Sequence, residues 1–203
     1  MFQIGDEHQQ FVIDTRFVSI EPLRDILESK EIIKIFHNAK FDYKFIKMWA
    51  NIECEGVYCT FLVERILSCG RHIGYGLKDL SKRYLNVELN KDVRNQFIGL
   101  SGQAYRDDQI VYGAKDVEYL CKIRVLQLPK IVDFKLEKVV DLENNAVLAF
   151  ADIEFNGISI DRDKWEVIAK ASEQEALDMR DKLDDLVKSS PELSCFVLAH
   201  IQG

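Results

Sequence analysis

The run DDQIVYGAKDVEYLCKI, at residues 107–123, restricts the fold most, because its apolar residues recur at nearly helical spacing. Such spacing predicts a helix that packs one face on a core. Tyr112 and Asp116 lie four positions apart and therefore share a face of that helix. A phenol beside a carboxylate suits metal-assisted chemistry, in which one group orients a nucleophile and the other holds a cation. The same pair also occurs by chance on solvated helix faces, so the rest of the chain must decide between these interpretations.

Strand-like and helical patterns alternate upstream of that helix and predict an α/β fold. Alternating apolar and polar residues predict two strands joined by a turn at residues 5–7, and two short apolar runs predict further strands. The predicted strands lie at 2–4, 10–14, 31–36 and 56–60, and predicted helices begin near residues 22, 42, 61 and 77. The polar segment at 86–106 predicts a long surface loop, a type of segment that often carries function.

The segment HNAKFD, at residues 37–42, lies where a predicted strand ends and a helix begins. Polar groups at this place sit at the open edge of an α/β sheet, where ligands usually bind. Asp42 could be a metal ligand there. It could equally be a helix N-cap, or a first-turn acid that interacts favourably with the helix dipole. Position alone leaves both interpretations open.

Bulk properties limit the class of protein. A chain of 203 residues can bury one sizeable core, and 47% hydrophobic and 30% charged residues are ordinary for a soluble protein. No apolar run approaches the roughly 20 residues that span a bilayer, so no membrane association is expected. The formal charge of −7 argues against non-specific coating of nucleic acid, yet it permits a nuclease whose carboxylates hold metal ions. Five cysteines without a C-x-x-C pattern indicate reduced thiols and a cytoplasmic location.

Pro129 marks a predicted boundary. Beyond it, residues 131–154 predict a long helix that ends at Asn156-Gly157, and residues 162–188 predict another helix, capped by Asp161. The apolar residues of the last helix form one stripe among many charges. Because such a two-helix arm needs a partner for its apolar face, we predict two parts, a domain at 1–130 and an incomplete helical region at 131–203.

Four stretches, by their order and spacing, resemble the 3′–5′ exonuclease (proofreading) domain of family A DNA polymerases of the DNA polymerase I-like type, which is related to the ribonuclease D-like exonucleases. HNAKFDYKFI resembles the second exonuclease motif, and GYGLKDLSKRYL followed by QFIGLSGQ resembles the segment that leads to the third motif. YGAKD resembles the third motif in its tyrosine form. LENNAVLAFADIEFNGISIDRDKW resembles the junction between the exonuclease and polymerase domains, so the resemblance covers nearly the whole chain.

This resemblance implies a fold and a reaction. The fold is ribonuclease H-like, with a mixed sheet flanked by helices, followed by a helical arm from the start of the polymerase domain. The reaction removes the terminal nucleotide from the 3′ end of single-stranded DNA with two Mg²⁺ or Mn²⁺ ions, which prefer oxygen ligands. Asp42 and Asp116 match metal-binding catalytic residues of the family, and Tyr112 matches the catalytic residue that orients the attacking water.

The resemblance also implies a binding place for the substrate. Asn38 and Phe41 match positions that hold the frayed strand, the aromatic ring by stacking or packing against a base or sugar. Phe97 is a further candidate for an aromatic wall of this place.

The chain also departs from the pattern of this family. The resemblance places the first motif, a central strand with Asp-x-Glu, ahead of residue 1, and no polymerase palm follows in the sequence. DTR at 14–16 carries a base where an acid is needed, and DIE at 152–154 lies in the connecting helix, so we reject both as substitutes. Cys59-Thr60 stands where the family usually has Asp-Thr.

We therefore expect a truncated exonuclease domain that lacks its central strand and two of the four acidic ligands. Two carboxylates on separate elements are not expected to hold two Mg²⁺ ions or to give full activity. The first hypothesis is proofreading-type hydrolysis as part of a family A polymerase, with the missing polymerase or an upstream segment as a partner. The alternative is a catalytically inactive module that binds single-stranded nucleic acid or scaffolds a polymerase.

Overall fold

A computed structural model of the 203-residue chain describes residues 1–71, 73–89, 96–97 and 102–190. The chain divides into two compact units, Met1–Asn156 and Gly157–Gly203. The first unit is a mixed α/β arrangement, as the alternation of strand and helix patterns predicts. Much of the predicted surface loop at 86–106 lies outside the described residues.

Four short strands form two separate pairs. Strands β1 (Phe2–Gly5) and β2 (Gln10–Ile13) form an antiparallel hairpin. Strands β3 (Lys34–Phe36) and β4 (Val57–Cys59) are parallel, and the first residue of β3 pairs with the first residue of β4. Each strand lies where the sequence pattern predicts one. In the described part of the chain no backbone ladder joins the hairpin to the parallel pair, so the single mixed sheet implied by the resemblance is present as two halves.

Helices follow the strands as the apolar spacing predicts, and the helix that contains Tyr112 and Asp116 is confirmed. Each parallel strand leads into a helix, which is the arrangement of a βαβ unit. The helical elements up to residue 118 are a 3₁₀ turn at Glu21–Leu23, α1 (Arg24–Leu27), α2 (Ala39–Ala50), α3 (Thr60–Leu67), α4 (Leu77–Leu85) and α5 (Asp107–Glu118).

The predicted start of the long helix at residue 131 is wrong. Pro129 lies inside α6 (Leu120–Asp133), and the next helix, α7, spans Glu137–Asn156. The break falls at Lys135, which adopts a left-handed conformation with φ of 57°. Apolar residues continue at helical spacing through this turn, so periodicity alone could not reveal it. Proline was a misleading signal, because α6 continues through Pro129 although a proline inside a helix lacks the N–H donor that its turn would use.

Helix α7, which was predicted as part of the helical arm, packs against α2, α3 and β4 within the first compact unit. Its buried residues recur at helical spacing and are Val140, Asn144, Val147 and Ala151. This helix therefore already has the partner that its apolar face requires.

One hydrophobic cluster connects the hairpin to the helices. Tyr43 and Ile46 of α2 are buried in it together with Ala151 of α7, and Phe2 and Ile13 of the hairpin pack against it. Side-chain burial rather than backbone pairing therefore holds β1 and β2 to the rest of the unit.

The second unit contains α8 (Arg162–Ser189). The Asp161 carboxylate accepts a hydrogen bond from the Lys164 N–H at 3.2 Å, which confirms the predicted N-cap. No residue of α8 is buried. Across the described ranges, none of the helices combines the length and the apolar character needed to cross a membrane.

Asn144 connects α7 to the end of β4 through buried hydrogen bonds. Its Oδ1 accepts from the Cys59 N–H at 2.7 Å, and its Nδ2 donates to the Val140 carbonyl at 2.8 Å. We expect Asn144→Ala to lower the free energy of unfolding by about 2 kcal/mol, because the buried Cys59 N–H loses its acceptor. Urea denaturation followed by circular dichroism measures this loss.

Asn145→Ala is the matched control for this prediction. Asn145 is the exposed neighbour on the same helix, so its replacement carries the same change in helix propensity without a buried hydrogen bond. We expect its effect on the free energy of unfolding to stay within about 0.5 kcal/mol. Equal losses for the two variants would contradict the role assigned to Asn144.

Candidate functional site

The first turn of α2 presents predicted site residues at the carboxyl end of the parallel strands. Asn38 precedes the helix in a left-handed conformation, with φ of 70° and ψ of 54°, and turns the chain out of β3. The Ala39 N–H donates to the Cys59 Sγ at 3.4 Å, so the sulfur at the end of β4 satisfies one helix N-terminal donor. Asp42 lies in this first turn, where the helix dipole favours a negative charge.

Helix α5, which carries Tyr112 and Asp116, packs on both strands of the β1–β2 hairpin. At Gly113 the approach is close, since an added Cβ would lie 2.7 Å from the Met1 Sδ. The buried Gln109 side chain accepts from the Arg106 N–H at 3.0 Å and closes the first turn of the helix. Gly113, between Tyr112 and Asp116, thus faces the hairpin, where the Met1 side chain lies against it.

Asp42 of α2 and Asp116 of α5, which are distant in sequence, come close together in space. Asp42 is partly buried, and this loss of solvation, together with the negative charge of Asp116, raises the pKa of the Asp42 carboxyl from 3.8 to about 7. A buried carboxyl beside a second acid marks a place where a cation is electrostatically favourable. The two residues, which were predicted from separate motifs, thus lie near enough for the charge of Asp116 to act on Asp42.

Aromatic rings lie on or beside the same two helices. Phe41 is 52% exposed, and its ring centroid lies 4.9 Å from that of Phe45. Phe97 lies with its ring centroid 5.8 Å from that of Tyr112, so these two predicted residues are brought together. Exposed rings of this kind can stack with nucleic-acid bases. Phe45 was not predicted as a site residue, although its spacing of four from Phe41 was an available signal.

The metal ligands that these residues can offer fit only in part the divalent metal that the resemblance implies. Asp42 and Asp116 offer the oxygen ligands that Mg²⁺ and Mn²⁺ prefer. Within residues 1–71, 73–89, 96–97 and 102–190, however, no three His, Cys, Asp or Glu side chains are grouped so that they could hold a metal ion. These residues alone therefore do not form a two-ion site.

Sequence reasoning missed the acids that fix α2 in place. Lys40 and Lys44 of α2 both form ion pairs with Glu154 of α7, the second at 2.8 Å. Hydrogen bonds from Lys40 and then Lys44 lower the pKa of Glu154 to about 2. One turn further along α2, Lys47 pairs with Asp152 at 2.6 Å. The helix that carries Asp42 is thus anchored through basic residues that surround the site residue in sequence.

Both acidic segments that sequence analysis rejected are engaged by basic side chains. Asp14 receives hydrogen bonds from Arg16 at 2.8 and 2.6 Å, and this Arg16 contact holds the pKa of Asp14 below its usual value. Asp152 and Glu154 pair with the lysines of α2. These carboxylates act as structural ion-pair partners.

Comparison with known proteins shows the family to which the chain belongs. Residues 1–131 match the family described as 3′–5′ exonuclease. The chain belongs to the 3′–5′ exonuclease family. The matched range contains Asp42, Tyr112 and Asp116, and exonucleases of this family depend on divalent metal.

Curated relatives share only part of their length with this exonuclease chain. Exosome complex component 10 from Homo sapiens is 27% identical over 125 residues, DNA polymerase I from Rhizobium leguminosarum is 25% identical over 148, and ribonuclease D from Jannaschia sp. is 27% identical over 106. These matches cover 61%, 69% and 52% of this chain. The chain spans only 14%, 14% and 26% of the relatives.

Solved structures of NrnC from Brucella melitensis have a similar fold. The structure with bound Mg²⁺ matches with a TM-score of 0.59 at 19% identity, and the structure bound to pGG matches with a TM-score of 0.58 at 21% identity. Each match covers 66% of this chain and 64% of the other. At these identities the likeness shows the fold, and it agrees with the α/β exonuclease fold predicted from the sequence.

The carboxylate pair is expected to reduce stability when no metal is present. Asp42→Asn should raise the free energy of unfolding by about 1–2 kcal/mol in a chelating buffer at neutral pH, because it removes a desolvated negative charge beside Asp116. Thermal or urea unfolding measures this gain. Asp141→Asn, at an exposed position of α7, is the matched control and should change stability by less than about 0.5 kcal/mol. A loss of stability in Asp42→Asn would contradict this account.

Proposed function

We propose that this chain is the 3′–5′ exonuclease part of a family A DNA polymerase and that it hydrolyses the 3′ end of single-stranded DNA. The observation that carries the proposal is the meeting of Asp42 and Asp116, because two acids from separate helices converge where carboxylates would hold a divalent cation. The family match supports the exonuclease chemistry, and the likeness to a DNA polymerase I supports the polymerase context.

In this proposal the residues around the pair have separate tasks. Tyr112 orients the attacking water, because it lies on the same helix face as Asp116 and its hydroxyl can both donate and accept. Phe41 stacks on the base or sugar of the terminal nucleotide, and Asn38 binds the same nucleotide from the turn before α2. Phe97 forms a second aromatic wall beside Tyr112, with 5.8 Å between their ring centroids.

Asp42 and Asp116 would hold Mg²⁺ or Mn²⁺, ions that when bound activate water and stabilise charge on the phosphate. We place the further carboxylates that such a site requires on an additional strand between the hairpin and the parallel pair. Two observations support this placement: the two strand pairs share no backbone ladder within the described residues, and their open edges could accept a strand.

An N-terminal extension that bears a strand with Asp-x-Glu tests the proposal. With Mg²⁺ present, we expect the extended chain to shorten a 5′-labelled DNA single strand stepwise from its 3′ end, as seen on a denaturing gel. Tyr112→Phe should slow this reaction by about 100-fold, because the attacking water loses its orienting hydroxyl. Asp42→Ala and Asp116→Ala should slow it at least as much.

Asp107→Asn is the matched control for this series, because Asp107 is an exposed acid on the same helix as Tyr112. Its rate should stay near that of the parent protein. An inactive extended chain, or activity that survives Asp42→Ala, would exclude the proposed reaction. An RNA strand of the same sequence is assayed in parallel, and preferential cleavage of RNA would exclude the DNA substrate while leaving the exonuclease chemistry in place.

A catalytically inactive module that binds single-stranded nucleic acid or scaffolds a polymerase is the second candidate. It is favoured by the lack of a third metal-binding side chain beside Asp42 and Asp116 in the described ranges. The 203-residue chain would then bind a fluorescent DNA single strand with unchanged affinity after Asp42→Ala and Asp116→Ala. Metal-dependent cleavage by this chain, abolished by either substitution, would exclude the second candidate.

We also propose that residues 131–203 lead into a polymerase domain and that the protein acts in the cytoplasm. The family match ends at residue 131, next to the predicted boundary at residue 130. Free thiols at Cys54, Cys59 and Cys121 are consistent with a reducing compartment.

A further inference from the structure

Helix α8 carries a regular seam along most of its length. Its seam positions recur at alternating spacings of four and three residues, which is the a and d pattern of a coiled coil. The residues of this α8 seam are Trp165, Ala169, Ser172, Ala176, Met179, Leu183 and Leu186. The large ones are well exposed, with Met179 and Leu183 at 59% and Leu186 at 67%. A long amphipathic helix gains most of its stability from packing, so this seam needs a partner.

The sizes of the seam residues indicate which partner fits. After Trp165 at its start, the seam has the small residues Ala169, Ser172 and Ala176, followed by the large residues Met179, Leu183 and Leu186. A partner must therefore offer large side chains to the three small residues and small side chains to the three large ones. An antiparallel copy of α8 offers this order of sizes, because its C-terminal half, with the large residues, then faces the N-terminal half of the first helix.

We propose that α8 forms an antiparallel two-stranded coiled coil with α8 of a second copy of this chain. Each small seam residue then lies in a layer with a large one. Ala169 is opposite Leu186 of the partner subunit, Ser172 is opposite Leu183 of the partner subunit, and Ala176 is opposite Met179 of the partner subunit. Alternation of large and small residues in facing layers gives close packing without voids.

Charges beside the seam fit the same register. Glu173 and Arg180 occupy one flank of the seam, and Glu175 and Lys182 occupy the other. In an antiparallel pair each flank faces the same flank of the second helix. Glu173 therefore lies near Arg180 of the partner subunit, and Glu175 lies near Lys182 of the partner subunit. The two-fold axis repeats both contacts, so every one of these charges meets an opposite charge.

A parallel pair fits less well. It places Ala169, Ser172 and Ala176 each against its own copy, which leaves the first half of the seam poorly packed. Opposite flanks also face each other in a parallel pair. Glu175 would then meet Arg180 of the partner subunit, whereas Glu173 would meet the apolar Ile168 of the partner subunit. Both packing and charge favour the antiparallel order.

The mass of the full 203-residue chain in solution gives the first test. Light scattering after size exclusion should give about 47 kDa, twice the 23.5 kDa of one chain. Leu183→Glu should return the mass to that of one chain, because it places a charge within the seam while keeping helix propensity. A monomer at every concentration up to about 100 μM would overturn the proposal and would assign the seam to a different segment or protein.

Charge reversal tests the direction of the helices. Glu173→Arg alone and Arg180→Glu alone should each weaken the dimer by about tenfold or more, because two attractive contacts become repulsive. The double variant Glu173→Arg/Arg180→Glu should restore the dimer, because opposite charges again face each other. Asp181→Lys is the matched control on the outer face of α8, and it should leave the dissociation constant unchanged within about twofold.

Two outcomes of this series would overturn the antiparallel arrangement. A parallel pair would tolerate Glu173→Arg, since its partner there is Ile168, and the double variant would stay weak, since Arg180→Glu would place an acid against Glu175 of the partner subunit. A dimer that none of the substitutions affects would show that copies associate through another surface. Circular dichroism of each variant monitors the helix content, so that loss of α8 itself is distinguished from loss of pairing.

Discussion

The position of helix α2 is the constraint on which the rest of the site depends. Its inner face is fixed by the burial of Tyr43 and Ile46, and its start is fixed by the hydrogen bond from Ala39 to Cys59. Its outer lysines are held by Asp152 and Glu154 of α7. Burial of the inner face sets how the helix is rotated, and the hydrogen bond and ion pairs add directional contacts at its start and on its outer side.

Helix α7 has a role that its place in the chain does not suggest. It lies beyond the range that matches the exonuclease family, yet it supplies Asn144 to β4 and the carboxylates that anchor α2. The compact unit accordingly runs to Asn156. A family boundary marks where sequences are similar, whereas a structural boundary marks where contacts become few. The two differ here because α7 stabilises the exonuclease part without contributing to its motifs.

The ionised form of Asp42 is disfavoured first by burial and then by the charge of Asp116. Loss of solvation and mutual repulsion raise the pKa of Asp42 to about 7, which is unfavourable for a fold without a bound cation. A neutral residue at either position would be easier to accommodate. Strain of this electrostatic kind is typical of sites whose ligand carries the opposite charge. Burial of apolar residues such as Tyr43 and Ile46 of α2 opposes this cost.

The sequence by itself determined the local elements and the identity of the motifs. Strands, most helices and the Asp161 cap follow from apolar spacing and from turn residues, which act over a few neighbouring positions. The candidate residues Asp42, Tyr112 and Asp116 were predicted from short motifs and from their resemblance to those of a known family. The false helix start at residue 131 shows the limit of this information, since the turn at Lys135 leaves the apolar spacing intact.

Only the tertiary structure decided which distant residues meet. It brought Asp42 to Asp116, placed Phe97 beside Tyr112, and gave the acids of α7 to the lysines of α2. None of these contacts has a local signal, because ion pairs and ring contacts depend on how whole helices are rotated and packed. That rotation is set by burial of apolar faces, as for Tyr43 and Ile46 of α2. These are properties of the assembled core and not of any single segment.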